Sequence, residues 1–425
     1  MEWVIYNAEL VNEGERFRGY LAIDSNGLIA EIGRGEPSPG LLESAAHTYD
    51  GEGALLIPGV IDTHVHFREP GLTHKGTIES ESLKALRGGV TSFIDMPNCN
   101  PTTVDLNTWQ WKMDRAALTS SINYAFYLGA TSQNIDLLAN ADYTRVAAVK
   151  LFIGSSTGNM LLNDERMLRQ LLMRVPALIA VHSESEGLII KGREWAKQRF
   201  GEHVPLPMHS VIRSRRACVE GTKHIVRLAV EHNARLHVCH VSTAQELDLF
   251  TPGAAAHKRI TAETSANYLT YTCLDYPRLG TAIKCNPAIK LPSDRDALRR
   301  AVASGLIDTV ATDHAPHTAT DKQGDALTAA SGIDSIESSL TKLLNLTHDG
   351  HFTVEQLVEK ACHNPATIYR IDRRGYLRRG YHADLTLIPN SRDAKPQAVW
   401  VGGALALDRG TLHPANPAPL TFNIN

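Results

Sequence analysis

Two histidines one residue apart, His64 and His66, stand in the run Val60-Ile61-Asp62-Thr63-His64-Val65-His66-Phe67-Arg68-Glu69-Pro70-Gly71. Side chains alternate along a strand, so both rings face one way, and two imidazoles on one face can grip a transition-metal ion. A bare H-x-H also fits two polar residues at a strand end, so the chemistry depends on partners further along. Such partners are present. Lys150 lies late in 146–152, and His182 follows Leu178-Ile179-Ala180-Val181. His240 follows Leu236-His237-Val238-Cys239, and Asp313 follows Thr309-Val310-Ala311-Thr312. Residue types that bind metal thus end five apolar, strand-like runs. Lys150 reads two ways. Charged, it is a lysine snorkelling at a strand edge. Neutral, its amine can take up carbon dioxide to form a carbamate, in effect a carboxylate on a long stem able to bridge two metal ions.

These side chains converge only if the strands share one rim. Apolar, strand-like runs lie at 56–63, 91–96, 122–128, 146–152, 178–182, 236–241, 259–264 and 309–312. Helix-like segments alternate with them at 77–88, 103–119, 163–174, 215–232, 244–250 and 293–304. Eight strands alternating with helices predict an α/β chain with a (β/α)8 TIM-like barrel, whose active residues sit at the C-terminal strand ends. Parity predicts that His237, three residues before His240, faces the outer helices, and that His314 turns away from Asp313. Short strands at 2–10, 19–24 and 27–33, with an Asn26-Gly27 hairpin signal, precede this middle. Further β segments at 383–388 and 398–407 follow it. The expected organisation is a β-sandwich domain built from 1–55 plus 371–425, and a catalytic barrel over 56–370.

Bulk properties exclude several classes. The 425 residues are 43% hydrophobic and 21% charged, with a net charge of −3, which gives no basic footprint for nucleic acid or an anionic membrane. The N-terminus lacks a basic segment followed by a long apolar run, and no segment has the apolar length of a membrane span. The six cysteines show no C-x-x-C pairing and read as reduced core thiols of a cytoplasmic protein.

The first histidine run, with Asp95-Met96-Pro97-Asn98 and Thr312-Asp313-His314-Ala315-Pro316-His317, resembles the amidohydrolase superfamily. Within it the chain looks most like a class I dihydroorotase. The resemblance spans nearly the whole chain, including His363-Asn364-Pro365-Ala366. It implies two zinc ions, one held by His64, His66 and Asp313, the other by His182 and His240. Carbamylated Lys150 and a hydroxide would bridge them, with Asp313 as general base and then acid. The implied reaction is the reversible conversion of L-dihydroorotate and water to N-carbamoyl-L-aspartate in pyrimidine biosynthesis.

Arg68, Asn98 and His317 would hold the substrate carboxylate and Asn286 the ring. On residues alone, Arg68 also fits a structural ion pair and Asn286 a turn before proline. Two departures mark the pocket wall. Asn286-Pro287-Ala288-Ile289-Lys290 stands where many relatives have Asn-Pro-Pro-Leu-Arg, and Ala266-Asn267-Tyr268-Leu269 where they carry Pro-His-His-Leu. The rival readings are an allantoinase, a dihydropyrimidinase or hydantoinase, or a non-catalytic scaffold. Homodimerisation and association with aspartate transcarbamoylase are partner expectations of the same resemblance.

Overall fold

The computed structural model describes residues 1–154 and 160–424. Gly59 divides the expected first strand in two. Leu55–Pro58 pairs antiparallel with Leu385–Ile388 and parallel with Trp3–Asn12, whereas Val60–Val65 opens a second sheet. Only glycine fits at this crossing, because a Cβ there would lie 2.0 Å from Oγ1 of Thr91.

Eight parallel strands form the barrel: Val60–Val65, Val90–Asp95, Asn123–Phe126 with its continuation Leu128–Gly129, Val149–Phe152, Ile179–His182, Leu236–Val238, Ile260–Ser265 and Thr309–Ala311. Each overlaps one of the apolar runs. A parallel bridge between Val65 and His314, with the His66 N–H donating to the His314 carbonyl at 2.7 Å, joins the last strand to the first. Ile61, Ile94, Ala125, Tyr127, Ala148, Ala180 and Cys239 share one buried cluster inside the ring. Phe93, Phe126, Val149, Val181 and Val238 face the helices. The inner alanines leave room for Tyr127 and Tyr369, whose hydroxyls lie 2.6 Å apart.

The outer helices begin with side-chain caps. Thr77 accepts from the Ser80 N–H, Asp105 from Thr108 and Asp164 from Met167, each satisfying an otherwise unpaired amide. The expected helix at 244–250 is a short 3-10 turn, Gln245–Leu249, closed by the Glu246 carboxylate on the Thr243 N–H and hydroxyl. The helix Glu186–Phe200 was not predicted; Gly187 and Gly192 weaken its signal.

Strands from both chain ends make one nine-stranded sheet, joined where Leu385–Ile388 meets Leu55–Pro58. Its own core includes Ile5, Leu10, Leu21, Leu56, Leu387 and fully buried Trp400, which meets Tyr49 edge-on at 5.2 Å. Glu15–Ile23 and Ile29–Arg34 pair as the hairpin expected around Asn26-Gly27, with Gly27 at φ 74°.

Candidate metal centre

Regular alternation would not bring the histidines together; two local irregularities do. Asp62 pairs with Phe93, but the next partner of Asp95 is Val65, so the first strand carries one extra residue. This bulge lets His64 turn inward although Ile61, three residues earlier, already faces the interior. At the sixth strand Cys239 points inward, which would send His240 out toward the helices. His240 instead adopts φ 41°, and its ring swings back so that Nε2 lies 2.9 Å from Nδ1 of His182. Asp313 likewise has φ 49°. Left-handed backbone at non-glycine residues is costly and clusters at functional sites.

The expectation for His237 is corrected here. It lies inside the barrel, with Nδ1 2.8 Å from Thr261 Oγ1 and Nε2 3.3 Å from Glu263 Oε2. His314 does face away from Asp313: Nε2 donates to Glu81 at 2.8 Å, and Nδ1 accepts from the Ser335 N–H at 3.1 Å, beside the start of helix Ile336–His348.

The six ligand candidates gather at the C-terminal rim. Nε2 of His64 and Nε2 of His66 each lie 3.2 Å from Oδ1 of Asp313. The ring of His240 lies 5.2 Å from that of His64 and 4.7 Å from that of His182. Lys150, fully buried, has its Nζ 3.1 Å from Cys239 Sγ and interacts electrostatically with His64, His182, His240 and Asp313.

The outer partners fit these rings to a cation. His64 Nδ1 is 2.7 Å from Glu263 Oε1, and His66 Nδ1 is 2.8 Å from Asn98 Oδ1. A proton on each Nδ1 satisfies those acceptors and leaves the Nε2 lone pairs facing the Asp313 carboxylate. Lone pairs set against a carboxylate repel unless a positive charge lies between them, the arrangement found around metal-bound histidines. Where no cation lies there, a second proton on His64 takes its place, and the local field favours it. Burial opposes charge on His64, yet Asp313 and Glu263 outweigh both burial and Lys150 and raise its pKa to about 10. Burial also opposes ionisation of Glu263, but His64 and His237 hold its carboxyl well below the usual range.

The mouth is rich in cations. Arg68 is buried, with Nε donating to the Pro316 carbonyl at 3.1 Å and a terminal nitrogen 3.0 Å from Nε2 of His317. Lys75 Nζ lies 3.3 Å from Nδ1 of the same ring. Lys322 donates to the carbonyls of Ala330 and Gly332, and burial together with Arg68 lowers its pKa to about 8. Asn286 holds a buried Oδ1 with no hydrogen-bond partner among the described residues.

The departures from relatives pin this wall. Tyr268 donates to the Pro287 carbonyl at 2.6 Å, Asn267 to the Thr312 carbonyl at 3.1 Å and Lys290 to the Ala288 carbonyl at 2.7 Å. Sequence reasoning missed Glu263 and Lys75, and read Cys239 as a core thiol without its contact to Lys150. Glu263 had a readable signal, a lone carboxylate inside an apolar strand. Among the described residues, no helix is long and apolar enough to cross a membrane.

Residues 55–406 match the amidohydrolase family. A dihydroorotase of Halobacterium salinarum is 33% identical over 336 residues, 78% of this chain and 76% of that one. A dihydroorotase of Bacillus subtilis is 30% identical over 407 residues, 93% and 90% of the two chains. Among solved structures, the L-hydantoinase (dihydropyrimidinase) from Arthrobacter aurescens superposes with a TM-score of 0.90 at 23% identity, covering 99% of each chain. The dihydropyrimidinase from Brevibacillus agri gives 0.86 at 20% identity over the whole of both. At these identities the two superpositions establish a common fold.

Proposed function

The chain belongs to the amidohydrolase family, among its dihydroorotases, and on that premise we propose that it interconverts L-dihydroorotate and N-carbamoyl-L-aspartate in pyrimidine synthesis. It is a hydrolase of cyclic amides. The observation that carries the substrate is Arg68. Its guanidinium is buried, and among the described residues it forms no ion pair with a carboxylate. Asp95 and Asp313 offset part of this charge from a distance, but a buried guanidinium with no carboxylate bonded to it remains costly, and a ring bearing a carboxylate supplies that direct partner. A neutral hydantoin or dihydrouracil ring does not.

His64, His66 and Asp313 would hold one zinc ion, His182 and His240 a second, and Lys150 would join them. Uptake of carbon dioxide by the neutral Lys150 amine forms an N–C bond and releases one proton, leaving an anionic carbamate. Bound zinc would supply polarisation of the scissile carbonyl and activation of water near neutral pH. Asp313 accepts the proton of the attacking water and returns it to the departing ring nitrogen. Arg68, Asn98 and His317 hold the carboxylate, and the buried Oδ1 of Asn286, unpartnered among the described residues, accepts a ring N–H. Retention of all six ligand candidates supports an enzyme over a scaffold.

A substrate panel with protein loaded with zinc and bicarbonate tests this reading. Dihydroorotate should be turned over, with allantoin and dihydrouracil poor by comparison. Preference for either neutral ring would overturn the assignment. Absence of bound metal and of any turnover would favour the scaffold.

A further inference from the structure

Lys75 lies outside every motif, in the turn after the first barrel strand, yet it touches the ring that would meet the substrate carboxylate. An ammonium can only donate, so its position 3.3 Å from Nδ1 of His317 makes that nitrogen an acceptor. The ring proton then sits on Nε2, where the Ser331 carbonyl lies 3.1 Å away to receive it. The consequence falls on Arg68. Its terminal nitrogen is 3.0 Å from the same Nε2, but two N–H groups cannot bond each other. In this tautomer the Ser331 carbonyl holds the ring N–H and Arg68 finds no acceptor on His317, so its terminal nitrogen is left to meet a carboxylate. The opposite tautomer would let Arg68 bond His317 directly, and would set a ring N–H against Lys75 and a lone pair against the Ser331 carbonyl.

The neighbours keep the ring neutral. Burial, then Arg68 and Lys75, lower the His317 pKa to about 3. Lys75 is itself held 3.5 Å from Asp321, which bridges the turn to the loop after His317, and its side chain is 15% exposed.

We propose that Lys75 is a positioning residue that fixes His317 as a donor, so that the subsite it shares with Arg68 selects rings carrying a carboxylate. This rests on the dihydroorotase reading and adds a residue that sets its specificity. Loss of the Lys75 donor frees the ring to turn its lone pair toward Arg68, which then satisfies itself internally. Binding of the anion should weaken more than catalysis does.

The test compares wild type with Lys75→Met and Lys75→Arg, all zinc-loaded. KM for dihydroorotate and the dissociation constant of orotate, the same carboxylated ring kept closed by a conjugated double bond, should both rise about tenfold or more in Lys75→Met. The fall in kcat should be smaller than the rise in KM, zinc content should be unchanged, and Lys75→Arg should recover most of the binding. Unchanged orotate binding in Lys75→Met would overturn the proposal, as would a loss confined to kcat. The two readings fail separately. Wild type that binds orotate but does not open dihydroorotate refutes the reaction and leaves the carboxylate subsite standing. Wild type that does neither refutes both.

Discussion

Oε1 of Glu263 lies 2.7 Å from Nδ1 of His64, at the floor beneath the ligand cluster. The same carboxylate faces Nε2 of His237 at 3.3 Å and Oγ1 of Thr63 at 3.2 Å, so one buried acid orients a ligand candidate and ties three strands. Glu263→Gln keeps the volume and removes the charge that sets the His64 proton. Zinc affinity should fall about 10- to 100-fold. Titration of metal-free protein with zinc against a competing chelator measures it, and unaltered affinity would refute the orienting role.

Lys150→Ala removes the proposed bridge and opens space beside Ala180, its partner on the next strand. Bound zinc should drop below the wild-type stoichiometry and turnover should be lost. Short carboxylic acids, which can occupy the vacated space as surrogate carboxylates, should restore part of both. Full activity in the variant without any added acid would exclude the bridging role.

Arg68→Met exchanges the buried guanidinium for an apolar stem of similar reach. KM for dihydroorotate should rise roughly ten- to a hundredfold, as expected for loss of a charge-assisted contact. Steady-state kinetics give the answer, and an unchanged KM would remove the residue from carboxylate recognition.

His209 donates Nε2–H to the Cys285 carbonyl at 2.8 Å, next to Asn286, and burial, Lys284 and Arg213 lower its pKa to about 3 against the opposing Glu184. An unfolded chain protonates this ring near the ordinary value of about 6.5. Between those values the unfolded state binds more protons, so the contribution is complete above about pH 6.5 and is lost as pH falls toward 3. The loss from pH 7 to pH 5 is about 2 kcal/mol. His66 and His317 are lowered too and act in the same direction, so the check is a difference. Urea unfolding of metal-free His209→Gln should show a shallower decline over this range than wild type; equal slopes would contradict it.

The eight barrel strands were readable because buried parallel strands are near-continuous apolar runs, and polar residues stood at their ends. What alternation could not deliver was the direction of individual rings. It paired His64 with His66 correctly but could not see the bulge that brings His64 inward after Ile61. It placed His237 on the outer face, because His240 was taken to continue the pleat and instead leaves it at φ 41°. Lys75 was invisible for another reason. Its contact with His317 spans 242 residues of sequence and joins two loops, where no periodicity operates.

The closure through Val65, His66 and His314 has a consequence for biogenesis. The first two ligand candidates leave the ribosome early, but the backbone group that anchors His66 belongs to a residue nearly 250 positions later. A nascent chain stopped before His314 has no means of completing the cluster, so on the proposed reading capture of metal by the full set would wait on synthesis of the final strand. Metal binding by the complete cluster would then require both a chain made through that strand and closure of the ring.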